Sequence, residues 1–349
     1  MSQLTSRAAG EKRTRLSLLQ LLCAVSLWRT AVTQVLPLCG ASAWWVTLAC
    51  LLPGIGTAAL LRWIMYLTHT DTLPEAFRAG LGKAGMWLLS AVLGALLLVE
   101  GLSGLTVLIT LFTQGVGTRG TPFTLSLLTG GALLLSLHRE GLSRAVHFLR
   151  WGMIAATVLI AACLLPDARL DQLFPLYGVA DASVPEALKA GISLAWPLTL
   201  LLTGPCAKGD GLSRAVLPVF AAPAALLLLT LIMPGELLTR PAALADLLLL
   251  PAKYAPNALQ ILYLCLLMLT MFLAVGAAVQ LATEQLCIPQ KRCPGWLPHA
   301  VLIGLVLIQT ADAGTLWELL SAVQPWLLVP LAGVALLCLP ASIIRRKIV

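Results

Sequence analysis

Long apolar blocks constrain this chain more than any other feature of its sequence. Ten of them can be delimited, and most are close to the length of about 20 residues that a helix needs to cross a bilayer. They cover residues 16–38, 43–61, 86–112, 121–137, 145–165, 186–204, 213–233, 258–283, 297–310 and 318–339. A single soluble core could not bury so much continuous apolar sequence. The blocks therefore predict an all-α integral membrane protein with about ten transmembrane helices.

The composition agrees with this prediction and excludes other classes. Of the 349 residues, 59% are hydrophobic and 11% are charged, whereas a soluble domain has about 25% charged residues. A soluble enzyme, a nucleic-acid-binding domain and a single-span receptor are excluded. The nine cysteines follow no common zinc spacing, and most lie in or beside apolar blocks, which is typical of structural cysteine.

The basic residues alternate between the two sides of the predicted membrane. Seventeen of the 23 Lys and Arg fall at the two termini and in every second loop, five fall in the other loops, and Arg29 lies inside the first block. Because basic residues concentrate on the cytoplasmic side, both termini are predicted to be cytoplasmic, as in a multi-pass protein of the cell membrane or a spore inner membrane. The formal net charge of +8 is explained by this topology and by contact with the lipid bilayer, so it indicates no nucleic-acid partner.

Ten crossings divide into two sets of five, and an odd number per set makes the second set run inverted. We expect a cytoplasmic basic arm over 1–15, disordered in structure, a first five-helix repeat over 16–166, and a second repeat over 167–349 with a short basic tail. Secondary transporters with this five-plus-five inverted-repeat fold bind their ligand near mid-membrane, beside discontinuous helices 1 and 6.

Both helices carry signs of such a break. In the sixth block Pro197 lacks an N–H and clashes with the carbonyl of Ser193, and Gly191 loosens the same turn. In the first block a polar run that includes Thr30 and Thr33 is followed by Pro37, but it contains no glycine. A simple kink at Pro197 is the alternative, since proline is common in membrane helices.

Two charged side chains lie deep inside apolar blocks. Arg29 is 13 residues from the start of the first block and Glu100 is 14 residues from the start of the third, or about 20 and 21 Å at the helical rise. Both helices run in the same direction, so the two groups are predicted to share one depth and to pair or to share a hydrated cavity. A gate beside a ligand site and a purely structural ion pair both remain open.

The candidate ligand-binding residues follow from these patterns and include polar groups on the helices that would surround such a site. They are Arg29, Thr30, Thr33, Glu100, Ser103, Gly191, Ser193, Trp196, Pro197 and Thr270. The four histidines are scattered, no Ser, His and carboxylate share one depth, and phosphate-binding and dinucleotide-binding glycine motifs are absent. The sequence therefore predicts neither an enzyme nor a metal or cofactor site.

Several short stretches resemble the spore germination permease family, the B-type subunit of nutrient germinant receptors in the amino acid–polyamine–organocation transporter superfamily. They occur in the order in which that family has them. They are residues 71–75 (DTLPE) and 81–83 (LGK) after the second block, 121–122 (TP) opening the fourth, 141–142 (GL) entering the fifth, 171–175 (DQLFP) after the fifth, and Gly191 with Ser193 in the sixth.

The resemblance implies a nutrient pocket, typically for an amino acid, formed by helices 1, 3, 6 and 8. It also implies partner subunits, namely a large membrane subunit with a soluble domain and a lipoprotein. The chain departs from the family where the family has glycines in helix 1, because Arg29 and Thr30 stand there instead.

Three functions are therefore considered. The first is a permease-like subunit of a spore germinant receptor that binds a small nutrient at mid-membrane to trigger germination. The second is an independent secondary transporter for amino acids or other small solutes, which the inverted plan and the buried charges support. The third is a membrane scaffold without a ligand, which the sparse polarity at mid-membrane favours.

Overall fold

The computed structural model describes residues 2–111, 131, 139–173, 184–191, 195–203, 224–231, 255–288, 294–311, 318–320, 322–323 and 326–348. These ranges are almost entirely helical and contain no β-strand. Within them, four helical runs are long and apolar enough to cross a membrane, namely Thr14–Leu67, Leu73–Thr110, Gly141–Leu164 and Asn257–Cys287. Shorter apolar helices cover Leu297–Ile308 and Leu328–Ile344. The all-α architecture with membrane-spanning helices is as predicted.

The run Thr14–Leu67 contains the first two predicted blocks. It begins inside helix α1 (Ser2–Thr30) and continues through a π-helical turn (Ala31–Val35), α2 (Leu36–Cys39), a 3₁₀ turn (Gly40–Ser42), α3 (Ala43–Cys50) and α4 (Leu52–Leu67). Gly40 has φ 53° and ψ −120°, which is outside the helical region. Helix α3 contacts the π turn, whereas in a straight helix the nearest residues of the two would be about 12 Å apart. The chain therefore folds back at Gly40.

The N-terminal segment differs from the prediction. Residues 2–15, which we expected to be a disordered arm, form the first turns of α1. Ala8, Ala9, Glu11 and Lys12 are good helix formers, and extending a helix that the apolar block has already nucleated adds one hydrogen bond per residue. The expectation of disorder was wrong because a charged segment without a core can still continue an existing helix.

The interval between the second and third blocks is also mostly helical, because α5 spans Leu73–Thr110. Thr72 is extended at its N-terminus, a proline follows in the first turn, and Glu75 lies where the helix dipole favours an anion. Gly82 interrupts this helix with φ 73° and ψ −157°. The break separates a short N-terminal piece from the long apolar part that carries Glu100.

The remaining elements are shorter or only partly described. They are α6 (Arg139–Leu164), 3₁₀ turns at Leu165–Asp167 and Leu170–Leu173, α7 (Val184–Gly191), α8 (Ala195–Thr203), the helical segment 224–231, α9 (Asn257–Cys287), α10 (Leu297–Ala311) and α11 (Leu328–Ile348). Helices α6, α9 and α10 correspond to the fifth, eighth and ninth blocks. The fourth block apart from residue 131, and most of the seventh, lie outside the described residues. The count of ten crossings and the inverted repeat stay predictions.

The predicted interruptions have different outcomes. In the first block the α-helical pattern stops at Thr30, and the Leu36 N–H donates to the Ala31 carbonyl across a π turn. The backbone stays helical, so the break takes the form of a widened turn. Pro37 cannot donate to the preceding turn, and an inserted residue accommodates this without the glycine that unwinding would need.

In the sixth block the residues between α7 and α8 are outside the described part, so the break there stays a prediction. Helix α7 packs on the π turn, α2 and α3, whereas α8 packs on α1 and α4. The two described halves of the sixth block therefore contact different parts of the first two blocks.

Helices α5 and α9 pack closely through small residues on α5. A Cβ atom added at Gly94 would lie 2.7 Å from a Leu286 methyl, and one added at Gly104 would lie 3.1 Å from a Val275 methyl. At Gly101 the corresponding distance to the Ala278 Cβ is 3.4 Å. Small residues that let helix backbones approach are the usual basis of helix association in membranes. This interface fixes the position of the α5 face that carries Glu100.

Candidate functional site

A buried ion pair joins the end of α1 to the middle of α5. The Arg29 Nη2 lies 2.8 Å from the Glu100 Oε1, and the two side chains are only 2% and 3% exposed. The predicted pairing of these two residues is confirmed. Taking two charges out of water costs several kcal/mol each. This cost is offset only if further hydrogen bonds satisfy the remaining polar atoms of the two side chains.

The guanidinium of Arg29 is only partly used by this contact. Its Nε and Nη1 atoms are buried and have no hydrogen-bond partner among the residues that the structure describes. Each carries N–H donors with fixed directions in the guanidinium plane. Leaving charged donors unpaired in the interior is costly, so these groups create a strong preference for an additional acceptor at this point.

The ion pair lies directly beside the π turn. Thr30 is the last residue of α1 and is buried, and the Thr33 hydroxyl donates to the Arg29 carbonyl at 2.8 Å. On α5, Ser103 is fully buried one turn beyond Glu100. Arg29, Thr30, Glu100 and Ser103 are thus all removed from solvent in the interior of the bundle. π turns within α-helices occur frequently at functional sites.

Helix α8 contributes a second buried donor. Trp196 is fully buried near the start of α8, which packs on α1. Its indole Nε1 has no hydrogen-bond partner among the described residues. A buried tryptophan N–H usually finds an acceptor. Pro197 follows it in the first turn of α8, and Gly191 is the last residue of α7. Ser193 lies outside the described residues.

Thr270 lies at a different place from the ion pair. Its hydroxyl donates to the Leu266 carbonyl at 2.6 Å within α9, as hydroxyls in membrane helices commonly do. It lines a cavity of about 360 Å³ between α1, α6, α9 and the segment 224–231. Of the other candidate residues, those whose side chains the structure describes do not line this cavity.

Sequence reasoning missed this cavity. Its walls are mostly leucine, isoleucine, valine and methionine side chains, and such residues give the same signal whether they face lipid, a neighbouring helix or a cavity. The sequence signal that could have found it is weak. His147 and Arg150 lie in the N-terminal half of α6, just before its continuous apolar part.

No cluster of metal-binding type occurs in the described part of the chain, where no three His, Cys, Asp or Glu side chains come together. The seven cysteines described are free thiols. At the ion pair the described side chains offer a cation and an anion for charge and hydrogen-bond contacts.

No protein-family model matches this chain, and no curated protein is detectably similar to it. The functional conclusion therefore depends on the geometry of the site and on the sequence pattern.

Proposed function

We propose that this chain is a permease-like, multi-pass membrane protein that binds a small amino acid beside Arg29, and that it serves as the membrane subunit of a spore nutrient germinant receptor. Binding would favour one of two conformations and so trigger germination. The partners would be a large membrane subunit with a soluble domain and a lipoprotein, and both termini of this chain would be cytoplasmic. The assignment to a germinant receptor depends on the sequence resemblance, whereas the ligand class depends on the site.

One observation carries the ligand class. Within the described part of the chain, Arg29 pairs with Glu100 through Nη2 alone, while its Nε and Nη1 are buried without an acceptor. A carboxylate is the acceptor that best matches a guanidinium edge, because two parallel N–H···O bonds can form. The sequence alone left it open whether Glu100 uses the whole guanidinium. Nη2 carries two hydrogens, so a single contact with Glu100 leaves its other hydrogen to form an edge for a ligand together with Nε or Nη1.

The charge balance of the site favours a zwitterion over a simple anion. Arg29 and Glu100 together are neutral, so an anion would add an uncompensated charge to a low-dielectric interior. An amino acid brings a carboxylate for Arg29 and an ammonium group for Glu100. Its net charge is zero, and no buried charge is left without a partner of opposite sign.

The alternative is an independent secondary transporter of the same superfamily. The π turn beside the ion pair favours it, because the ligand sites of secondary transporters lie beside interruptions of membrane helices. Sensing and transport use the same pocket, and they differ in whether the ligand leaves on the other side. Accumulation of a labelled amino acid in proteoliposomes that contain only this chain would establish transport.

The proposal is tested by thermal stabilisation of the purified protein with each common amino acid. A ligand at a hundred times its dissociation constant should stabilise by about 2.7 kcal/mol. Arg29→Ala should abolish the response. Arg78→Ala removes an equal charge from an exposed position on α5 and should leave the response intact.

Two results would contradict the proposal. One is silence across the whole panel in a folded wild-type sample with its partner subunits present, which would favour a scaffold. The other is a ligand response that persists unchanged in Arg29→Ala, which would place the pocket elsewhere.

A further inference from the structure

A slender groove runs along the side of α1 that is lined by Trp28, next to the Arg29 of the ion pair. Its walls come from α1, α6, α9 and the segment 224–231, and its volume is about 360 Å³. Along α6 the lining extends from Val146 to Leu164, which is about 27 Å at the helical rise. This is close to the apolar thickness of a bilayer, about 30 Å. A modest volume spread over such a length suits an extended chain better than a compact solute.

The middle of the groove is apolar and opens to the side. Leu21 and Val25 of α1 and Met271 of α9 form its inner wall, and Ile154 and Val158 of α6 form its rim. Ile154 and Val158 are 37% and 60% exposed although they line the groove. A chain in the surrounding bilayer can therefore enter sideways, without crossing the interior of the protein.

One end of the groove has a different chemistry. Ser17 and Gln20 of α1 and His147 and Arg150 of α6 line it, and none of the described lining residues is acidic. Arg144 lies about two turns before Arg150 on the same helix and is exposed. The distribution of basic residues along the sequence assigns this end to the cytoplasmic side. A basic end on an apolar groove complements a lipid with an anionic headgroup.

We propose that this groove binds one acyl chain of an anionic phospholipid from the cytoplasmic leaflet, with the phosphate at Arg150 and His147. The guanidinium supplies a charge-assisted contact to the phosphate oxygens, and the apolar walls bury the methylene groups. The site is separate from the proposed amino-acid site, because Trp28 faces the groove whereas Arg29 contacts Glu100. A bound lipid would hold the inner half of α1 against α6.

The test measures lipid retained by the purified full chain after exchange into nanodiscs of phosphatidylglycerol, phosphatidylcholine or their equal mixture, followed by detergent extraction and native mass spectrometry. The wild type should retain about one phosphatidylglycerol and prefer it over phosphatidylcholine. Arg150→Ala should reduce this preference roughly fivefold, which corresponds to about 1 kcal/mol for one basic residue near a membrane surface.

Two variants that obstruct the groove complete the design. Ala24→Phe fills the groove from the α1 side, and Thr157→Trp fills it from the rim, where the side chain is exposed and a fold defect is not expected. Both should lower retained lipid at least fivefold. Ala155→Phe is the control. It adds a phenyl ring, as Ala24→Phe does, but at an exposed position of α6 outside the lining, and it should retain lipid like the wild type.

The proposal is overturned if the wild type retains the two lipids equally, or if both filling variants retain as much phosphatidylglycerol as Ala155→Phe. Amino-acid stabilisation is measured on the same samples. Loss of lipid retention with an intact amino-acid response, or the reverse, separates failure of this site from failure of the proposed function.

Discussion

Replacing Glu100 by glutamine tests how strongly the fold depends on a counter-charge for the buried Arg29. The substitution preserves the shape of the side chain but leaves the Arg29 charge buried without a counter-charge, next to a contact that is 2.8 Å long in the wild type. Breaking a buried pair in this way typically costs about 3–5 kcal/mol. At roughly 2–4 °C per kcal/mol, the midpoint of thermal unfolding in detergent should fall by about 6–20 °C.

The double variant Arg29→Met with Glu100→Leu should behave differently. Replacing both members of a buried pair by apolar residues of similar size is often neutral or stabilising, so its midpoint should return close to that of the wild type. Glu75→Gln is the matched control, because Glu75 is exposed in the first turn of α5 and its loss should cost about 0.3–1 kcal/mol through the helix dipole. If Glu100→Gln lowers the unfolding midpoint no more than this control does, the buried Arg29 charge does not depend on Glu100.

The same double variant separates the structural from the functional role of the pair. If it is as stable as the wild type but no longer responds to any amino acid, the charges serve ligand binding. If it is stable and still responds, the pair has only a structural role and the ligand class proposed above is wrong.

Two glycine substitutions test the packing and the backbone. Gly94→Ala should lower the free energy of unfolding by about 1–3 kcal/mol through overpacking, because the new Cβ would lie 2.7 Å from Leu286, whereas Gly56→Ala meets nothing within 4 Å and should stabilise by about 0.5–1 kcal/mol; equal midpoints for the two would contradict the close α5–α9 contact. Gly82→Ala also meets nothing within 4 Å, but φ 73° with ψ −157° is a conformation essentially restricted to glycine. It should therefore destabilise by about 1–3 kcal/mol from backbone strain alone, and an unchanged or raised midpoint would show that the break does not need glycine.

The sequence predicted the ion pair because charges in apolar blocks are rare and their depth can be counted along each helix. Arg29 and Glu100 stood out for that reason, and the direction of the two helices placed them at one level. The form of the break beside Arg29 could not be predicted in the same way. Pro37 indicates that a hydrogen bond is lost, but whether the helix unwinds or widens depends on the packing of α3 and α7 on that turn.

Helix ends and cavities were the least predictable features. Hydropathy marks where a helix is buried in lipid, but not how far it continues into water, and α1 and α5 both begin well before their apolar blocks. The groove depends on how four helices are spaced, and Leu21 or Val158 would have the same side chain in a closed interface. Such features appear only when the helices are assembled.

Helix α1 connects the two proposed sites. Trp28 lines the groove and Arg29 contacts Glu100, and successive residues of an α-helix point about 100° apart. The part of α1 that lines the groove starts at the basic end of the groove. The π turn follows it, beginning two residues after Arg29, and interrupts the α-helical hydrogen bonding there. A ligand can shift a conformational equilibrium only by its differential affinity for the two states. If an amino acid at Arg29 and a lipid chain at Trp28 both prefer one position of α1, the binding of each strengthens the binding of the other by the same factor. The lipid composition of the membrane would then set how much amino acid is needed to produce a response.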